Sequence, residues 1–471
     1  MATEMGTRSA SSDGLDRYFK FSERGSTLRT EIIAGATTWM TMAYILFVNP
    51  TILGAVKDVE GTQLAFPKVL LVTALVAGVM TIMMGVVSNY PFALAAGLGL
   101  NGYVAFTLVA TLKLTWPDAM GVIVLEGLII AVLVVTGFRE AVLNAIPLDL
   151  KRAIGVGIGA FIAFIGLINA GFAIRNPIPN ATPVTIGQVS NWKFLVFFIG
   201  FVVSATLVVK KVKGALLIGI LGTTIFATVV NEIKNLSIWK NGIAAIPDKW
   251  ASIPKGSDFD LLGNFSLNGS FVKLGIISAG VAVFAVMLSD FFDTMGTAVG
   301  LGEKAGLTDK DGRLPGIGRV LIVDSLAAAA GGAASSSSNT TYIESASGIS
   351  AGGRTGLTSV VVGILFLACL FISPIAGVIP PEATAPALIL VGYFMMTLVK
   401  DIDWQNAEIG IPALLTIVVQ PFTYSITNGV GAGFVAYTAI QILKGELREI
   451  HPLMYISTAA FMAYFIRGLI A

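Results

Sequence analysis

Three carboxylic acids stand in stretches of this sequence that otherwise look suited to an apolar environment. Asp290 and Asp293 lie in Ser289-Asp290-Phe291-Phe292-Asp293-Thr294-Met295-Gly296-Thr297, and Glu344 closes the polar run Ser335-Ser336-Ser337-Ser338-Asn339-Thr340-Thr341-Tyr342-Ile343-Glu344. Asp290, Asp293, Thr294 and Thr297 recur at i, i+3, i+4 and i+7, which gathers them on one face of a helix. Two carboxylates one helical turn apart repel, so the pair holds or shares a proton. No Lys or Arg falls within the apolar part of these stretches. The acids therefore need protons, a metal cation, or a ligand that offers N–H donors. An anion carrier would want a basic site, so the pattern favours cation-coupled uptake of a neutral or cationic solute. A plainer reading stands beside this one, in which the acids lock helices together and Glu344 caps the first turn of a short helix; for Glu344 both can hold.

The elements that must position these residues are membrane-spanning. The chain has 471 residues, a mean hydropathy of +0.83, 55% hydrophobic residues and only 12% charged ones, about half the charge of an ordinary soluble domain. Many apolar runs reach the ~20 residues needed to span a bilayer. They fall at 31–50, 68–88, 92–110, 119–137, 153–171, 193–209, 214–231, 274–301, 317–334, 339–350, 356–376, 384–399, 407–427 and 429–444. A last stretch, 453–470, is interrupted by Arg467 and reads either as a further span or as an interfacial helix. Residues 1–27 are polar, without the early apolar core of a cleavable leader. The single cysteine, Cys369, leaves no intrachain disulfide to form.

Positive charge sets the expected orientation. Arg17, Lys20, Arg24 and Arg29, then Arg139, Lys151 and Arg152, then Lys210, Lys211 and Lys213, then Lys304, Lys310 and Arg313, then Lys400, Lys444 and Arg448 fall on one side, taken as cytoplasmic. The longer loops 172–192 and 232–272 fall on the other. The first seven runs end before the longest loop and the last seven follow it. Seven is odd, so the second set enters from the opposite face: an inverted repeat, with its site where interrupted helices meet at the midplane. The third run of each set is the irregular one, Asn89-Tyr90-Pro91-Phe92-Ala93-Leu94-Ala95-Ala96-Gly97-Leu98-Gly99-Leu100-Asn101-Gly102 in the first and the serine-rich run in the second. Each reads as a short extended piece leading into a half-helix, and broken backbone at that depth must be buried in protein or line a cavity. We expect a ligand cavity there. The first run, repeat mate of the eighth, carries Thr37, Thr41 and Tyr44 on one face, with Thr38 beside them. Gly97-Leu98-Gly99-Leu100-Asn101-Gly102 matches a nucleotide-binding glycine pattern in letters only, since no βαβ unit surrounds it. Neither a metal-ligand cluster nor a nucleophile triad appears, so no enzyme is expected.

The motif Asn339-Thr340-Thr341-Tyr342-Ile343-Glu344-Ser345 resembles the substrate-binding stretch of the nucleobase-ascorbate transporter superfamily. Phe291-Phe292-Asp293-Thr294-Met295-Gly296, Gly302-Glu303-Lys304-Ala305-Gly306 and the opening run from Arg29 to Tyr44 are similar to its adenine/guanine/hypoxanthine branch, with the likeness extending over residues 17–450. The resemblance implies two inverted seven-helix repeats. It implies a core domain at 28–137 and 273–376 and a gate domain at 138–231 and 377–444, with a cytoplasmic tail at 1–27, an extracytoplasmic loop at 232–272 and a C-terminal segment at 445–471. It implies proton symport of purine bases across the plasma (inner) membrane, with Na⁺ as an open alternative coupling ion, no cofactor, no nucleic-acid partner and a homodimer in the lipid. By motif position, Glu344 and Asp293 would hold the base, with Thr341, Tyr342, Thr38 and Phe92 around it. Asp290 and Asn101 match positions needed for transport. Thr37-Thr38 replaces the Gln-His of the uracil and xanthine branches, and Ser345-Ala346-Ser347-Gly348 replaces their Asn-x-Gly, which favours adenine, guanine and hypoxanthine. An anion exchanger or a facilitator of the same architecture is the alternative.

Overall fold

The computed structural model describes residues 10–136, 146–178, 182–233, 238–239, 243–247, 249–309, 314–447 and 450–470. Arg139, Lys310, Arg313 and Arg448, used above for orientation, lie outside the described residues. The rest is almost entirely helical, and every one of the apolar runs coincides with a helix or with a strand and half-helix. Among the described residues, nine stretches are long and apolar enough to cross a bilayer as single units.

The first half opens with α1 (Ala10–Phe19), followed by α2 (Leu28–Met42) and α3 (Ile45–Leu53), which together form the first run. The run is interrupted at Ala43-Tyr44, and Pro50 within α3 leaves the Leu46 carbonyl without its helical N–H. Next come α4 (Phe66–Ser88), strand β1 (Leu94–Ala96), α5 (Leu98–Gly102) running on as a wider π-helix over Tyr103–Thr111, and α6 (Trp116–Val135). Then follow α7 (Leu148–Asn169), a hairpin of β2 (Ala173–Arg175) and β3 (Val184–Ile186) in what the sequence presents as a plain loop, α8 (Trp192–Val209) and α9 (Ala215–Ile233).

The second half runs through the short α10 (Gly269–Leu274), then α11 (Ile276–Lys304), α12 (Ile317–Ala333), β4 (Asn339–Thr341), α13 (Ser345–Ser350) and α14 (Gly356–Ala368). It ends with α15 (Ser373–Ala376), α16 (Pro381–Met396), α17 (Ala407–Thr423), α18 (Ile426–Lys444) and α19 (Pro452–Ile470). The terminal stretch is thus helical, and α19 packs against α18 and α11.

Two packing groups emerge. α14 lies on α4 and α2, α12 on α6 and α4, and α13 on α2; separately, α7 lies on α16 and α17, α17 on α18, and α8 on α9 and α16. Glycine lets α4 and α14 touch backbone to backbone, because a Cβ on Gly85 would run into the Gly356 carbonyl and one on Gly356 into the Gly85 carbonyl.

The two irregular runs meet as an antiparallel ribbon, β1 on β4, with Leu94 opposite Thr341, Ala95 opposite Thr340 and Ala96 opposite Asn339. A two-stranded ribbon at this depth has two outer edges with no water to satisfy them. Each is bonded by a side chain of a neighbouring helix. Thr81 of α4 accepts from the Leu94 N–H and donates to the Leu94 carbonyl, both at 2.9 Å. Asp324 of α12 accepts from the Thr341 N–H at 2.9 Å. α4 and α12 are the second helix of each repeat, so the same element performs the same task twice. Ends are closed as well: Ser345 Oγ accepts from the Ala93 N–H (3.0 Å), Ser359 Oγ contacts the Tyr90 and Phe92 carbonyls (2.8 Å each), and Asn49 donates to the Ser336 carbonyl (3.0 Å).

Candidate functional site

The ribbon is a packed seam, not the open cavity expected from its polarity, and residues 335–341 are all buried. Within that run Ser335 and Ser336 donate to the carbonyls of Leu261 and Gly331, whereas Ser338, Thr340 and Thr341 pair with the side chains of Asp290, Thr294 and Asp324. The chain opens only past the ribbon, where Ile343 is 57% exposed and Glu344 is half-buried.

Glu344 is the residue on which α13 begins, but its side chain makes no cap hydrogen bond to that helix, contrary to the capping role expected from the sequence. Its Oε1 accepts a 2.5 Å hydrogen bond from the Tyr44 hydroxyl, at the interruption between α2 and α3. Its backbone carbonyl accepts from Ser347 Oγ at 2.7 Å, and Ser347 Oγ in turn meets Thr41 Oγ1 at 2.7 Å. Thr38 is fully buried, and its hydroxyl oxygen has no hydrogen-bond partner among the described residues. It lies against Gly348, where a Cβ would strike both Thr38 Oγ1 and the Ala34 carbonyl. The first helix therefore cradles the start of α13. Among the described ion pairs, none involves Glu344 or Glu126.

The remaining expected site residues sort by what they touch. Asp290 is buried on α11 and Ser338 Oγ donates to its Oδ2 at 3.3 Å. The Asp293 side chain lies outside the described residues. Thr341 gives its hydroxyl to Asp324 Oδ1 at 2.7 Å, and Tyr342 gives its hydroxyl to the Ala96 carbonyl at 2.5 Å, so both brace the ribbon. Phe92 is fully buried and stacks on Tyr90 with ring centres 5.1 Å apart, so one of its faces is already covered within the chain. Asn101 is fully buried on α5, with neither amide atom hydrogen-bonded among the described residues.

Two further acids escaped the sequence reading. Asp324 of α12 accepts from Thr341 N–H and from the Thr341 and Thr294 hydroxyls, the last at 2.6 Å. Glu126 of α6 is fully buried within hydrogen-bonding reach of Asp290, and Ser338 Oγ points toward its Oε1 at 3.5 Å. Glu126 and Asp290 thus meet at Ser338, just before β4, and Asp324 meets Thr341 at its end, the three acids coming from three helices. At the far end, a separate hollow of about 390 Å³ is lined by Asp58, Lys68, Trp116 and Asp260 among others and contains none of these residues.

A sequence model described as the permease family matches residues 29–430. The chain is 39% identical to the adenine permease AdeP of Escherichia coli (strain K12), over 98% of both chains. It is 37% identical to the guanine/hypoxanthine permease PbuG of Bacillus subtilis (strain 168), over 95% of this chain and 99% of that one. The chain belongs to the nucleobase-ascorbate transporter family. This permease is accordingly a multi-pass membrane transporter and not an enzyme. Its fold is shared with the transmembrane domain of the cyanobacterial bicarbonate transporter BicA, with a TM-score of 0.60 at 13% identity over 86% of this chain and 97% of that one. It is shared too with the murine anion transporter Slc26a9 in its inward-facing state, with a TM-score of 0.59 at 12% identity over 94% and 74% of the two chains. Those likenesses confirm the two-repeat inverted architecture expected from the sequence.

Proposed function

We propose that this permease imports purine bases, adenine, guanine and hypoxanthine, by proton symport, with the helices around the β1–β4 ribbon moving as a core past the α7–α9 and α16–α18 group as a gate. The observation that carries the reading is Glu344: a half-buried carboxylate at the start of a half-helix, beside a seam of two broken runs, with no described cationic side chain paired to it. A purine is flat, nearly neutral and edged with N–H donors, and a carboxylate reads such an edge. The names of the similar permeases support this substrate class. Glu344 and Asp293 are assigned to the base. The proton is assigned to the acids of the core. Such a seat for a neutral base, lacking Arg or Lys, disfavours the anion exchange of the fold relatives.

A neutral base draws no work from the membrane potential, whereas one accompanying proton carries about 2.3 kcal/mol per 100 mV, enough for about 40-fold accumulation. The test is uptake of radiolabelled adenine, guanine and hypoxanthine by cells lacking their own purine uptake. Accumulation should collapse with an uncoupler, persist without Na⁺ and be lost in E344Q. Uptake indifferent to the uncoupler would identify a facilitator, and E344Q transporting like wild type would remove Glu344 from the site.

A further inference from the structure

We infer that Tyr44 is the positioning residue of the substrate carboxylate, holding Glu344 so that its outer edge stays an acceptor for two adjacent N–H donors of the base. The inference rests on the assignment of Glu344 above. Tyr44 sits where the first run is interrupted, is fully buried, and is fixed in the largest apolar cluster of the molecule by Ile45, Leu46 and their neighbours. Its ring therefore has one position, and its hydroxyl reaches across to Glu344 Oε1 at 2.5 Å. The backbone of Glu344 is tied to the same run, through Ser347 Oγ to Glu344 O at 2.7 Å and Thr41 Oγ1 to Ser347 Oγ at 2.7 Å. The carboxylate is thus gripped at its root and at one oxygen by a single helix.

The chemistry follows from which group can donate. Tyrosine supplies the hydrogen, so Oε1 is the acceptor, and the bond fixes which edge of the carboxyl group is left for a ligand. That edge accepts two neighbouring N–H groups in one plane, such as a ring N–H beside an exocyclic amino group or beside a second ring N–H. Without the tyrosine, Glu344 is free to swing about its side-chain torsions, and the edge it offers a ligand is no longer fixed. A buried tyrosine hydroxyl does need some partner, and that requirement alone would be met by any carbonyl of the core. What it does not account for is the choice of the one half-buried acid at the mouth of α13.

The experiment is a double-mutant cycle on purified protein: wild type, Y44F, E344Q and Y44F/E344Q, with equilibrium binding of labelled adenine, guanine and hypoxanthine, and of uracil and xanthine alongside. Loss of one charge-assisted hydrogen bond and its preorganisation predicts about tenfold or greater weakening in Y44F. Saturated transport should fall much less. The double variant should bind no more weakly than E344Q alone, because Tyr44 acts only through Glu344. Affinity in Y44F equal to wild type, or losses that multiply in the double variant, would overturn the inference. If Y44F aggregates in detergent, the same cycle is read as KM for uptake in intact cells, corrected for membrane-resident protein. The base panel separates the two levels. Wild type choosing uracil or xanthine sinks the purine assignment, while the tyrosine inference is judged by variant ratios on whichever base is bound.

Discussion

Asp324 closes the outer edge of β4, so alanine in its place opens that edge while asparagine should leave it closed. D324A strips the acceptor from three buried donors: the Thr341 N–H (2.9 Å), the Thr341 hydroxyl (2.7 Å) and the Thr294 hydroxyl (2.6 Å). The hydroxyls can turn, and Thr294 already has Thr340 Oγ1 at 2.7 Å. The backbone N–H cannot turn. A buried donor left unmade costs about 1–3 kcal/mol and each lost hydrogen bond about 1 kcal/mol more, giving about 3–5 kcal/mol for D324A. D324N keeps Oδ1 for both Thr341 donors and turns its amide to Thr294, which can then donate to Thr340. Its loss is limited to charge assistance, about 1 kcal/mol, and is offset in part because Glu126 no longer faces a second carboxylate.

The gap between the two variants is therefore about 2–4 kcal/mol, or about 30- to 700-fold in the rate of irreversible unfolding if the ribbon opens before the barrier. The assay is the half-life of the monodisperse peak in detergent at one fixed temperature, with D324N near wild type and D324A short-lived. Two variants that decay within about threefold of each other would refute the claim that this side chain holds the ribbon.

Two further outcomes follow from close contacts. G85A pushes a methyl group into the Gly356 carbonyl where α4 meets α14, and should cost about 1–3 kcal/mol, read as lower yield of monodisperse protein. G14A, with nothing within 4 Å of the added carbon, should lose none. Asn89 stands at φ 54° and ties three segments: Nδ2 donates to Phe19 O (2.9 Å), Oδ1 accepts from Gly356 N–H (2.9 Å), and its carbonyl accepts from Arg24 (2.6 Å). N89A adds left-handed strain and removes both side-chain bonds, for a total of about 2–3 kcal/mol. Limited proteolysis should then cut at Arg24 sooner than in wild type.

The architecture was readable because its signals are long. Apolar runs of bilayer length, positive charge recurring on one side, and an odd number of runs in each half lead to an inverted repeat before any contact is known. The paired breaks were readable for a different reason. Pro91 with glycines in one run and four consecutive serines in the other cannot continue a helix at that depth. What the residue types did not carry was how completely the breaks would be filled. A polar run in an apolar chain reads as a cavity, yet most of its hydroxyls are spent inside the packed seam on partners that lie far off along the chain, such as Ser335 on the Leu261 carbonyl, Ser338 on Asp290 and Thr340 on Thr294.

Glu126 and Asp324 were missed because each is a lone acid in an apolar helix, with no polar neighbour at helical spacing to form a stripe like that of Asp290 and Thr294. Periodicity finds faces and is blind to single residues. The repeat itself held the missing signal. Once the third runs of the two halves are known to pair, each needs a closure for its outer edge, and the helix that precedes each is the nearest element able to supply one. The second run of each half does supply one, Thr81 in the first and Asp324 in the second. A hydroxyl can serve both the N–H and the carbonyl of Leu94, whereas Asp324 serves donors only. That difference leaves a carboxyl group at the edge of one strand and a hydroxyl at the edge of the other. The acid that closes a ribbon edge therefore belongs to the repeat that also carries Glu344, whereas Glu126 reaches Ser338 from the other repeat.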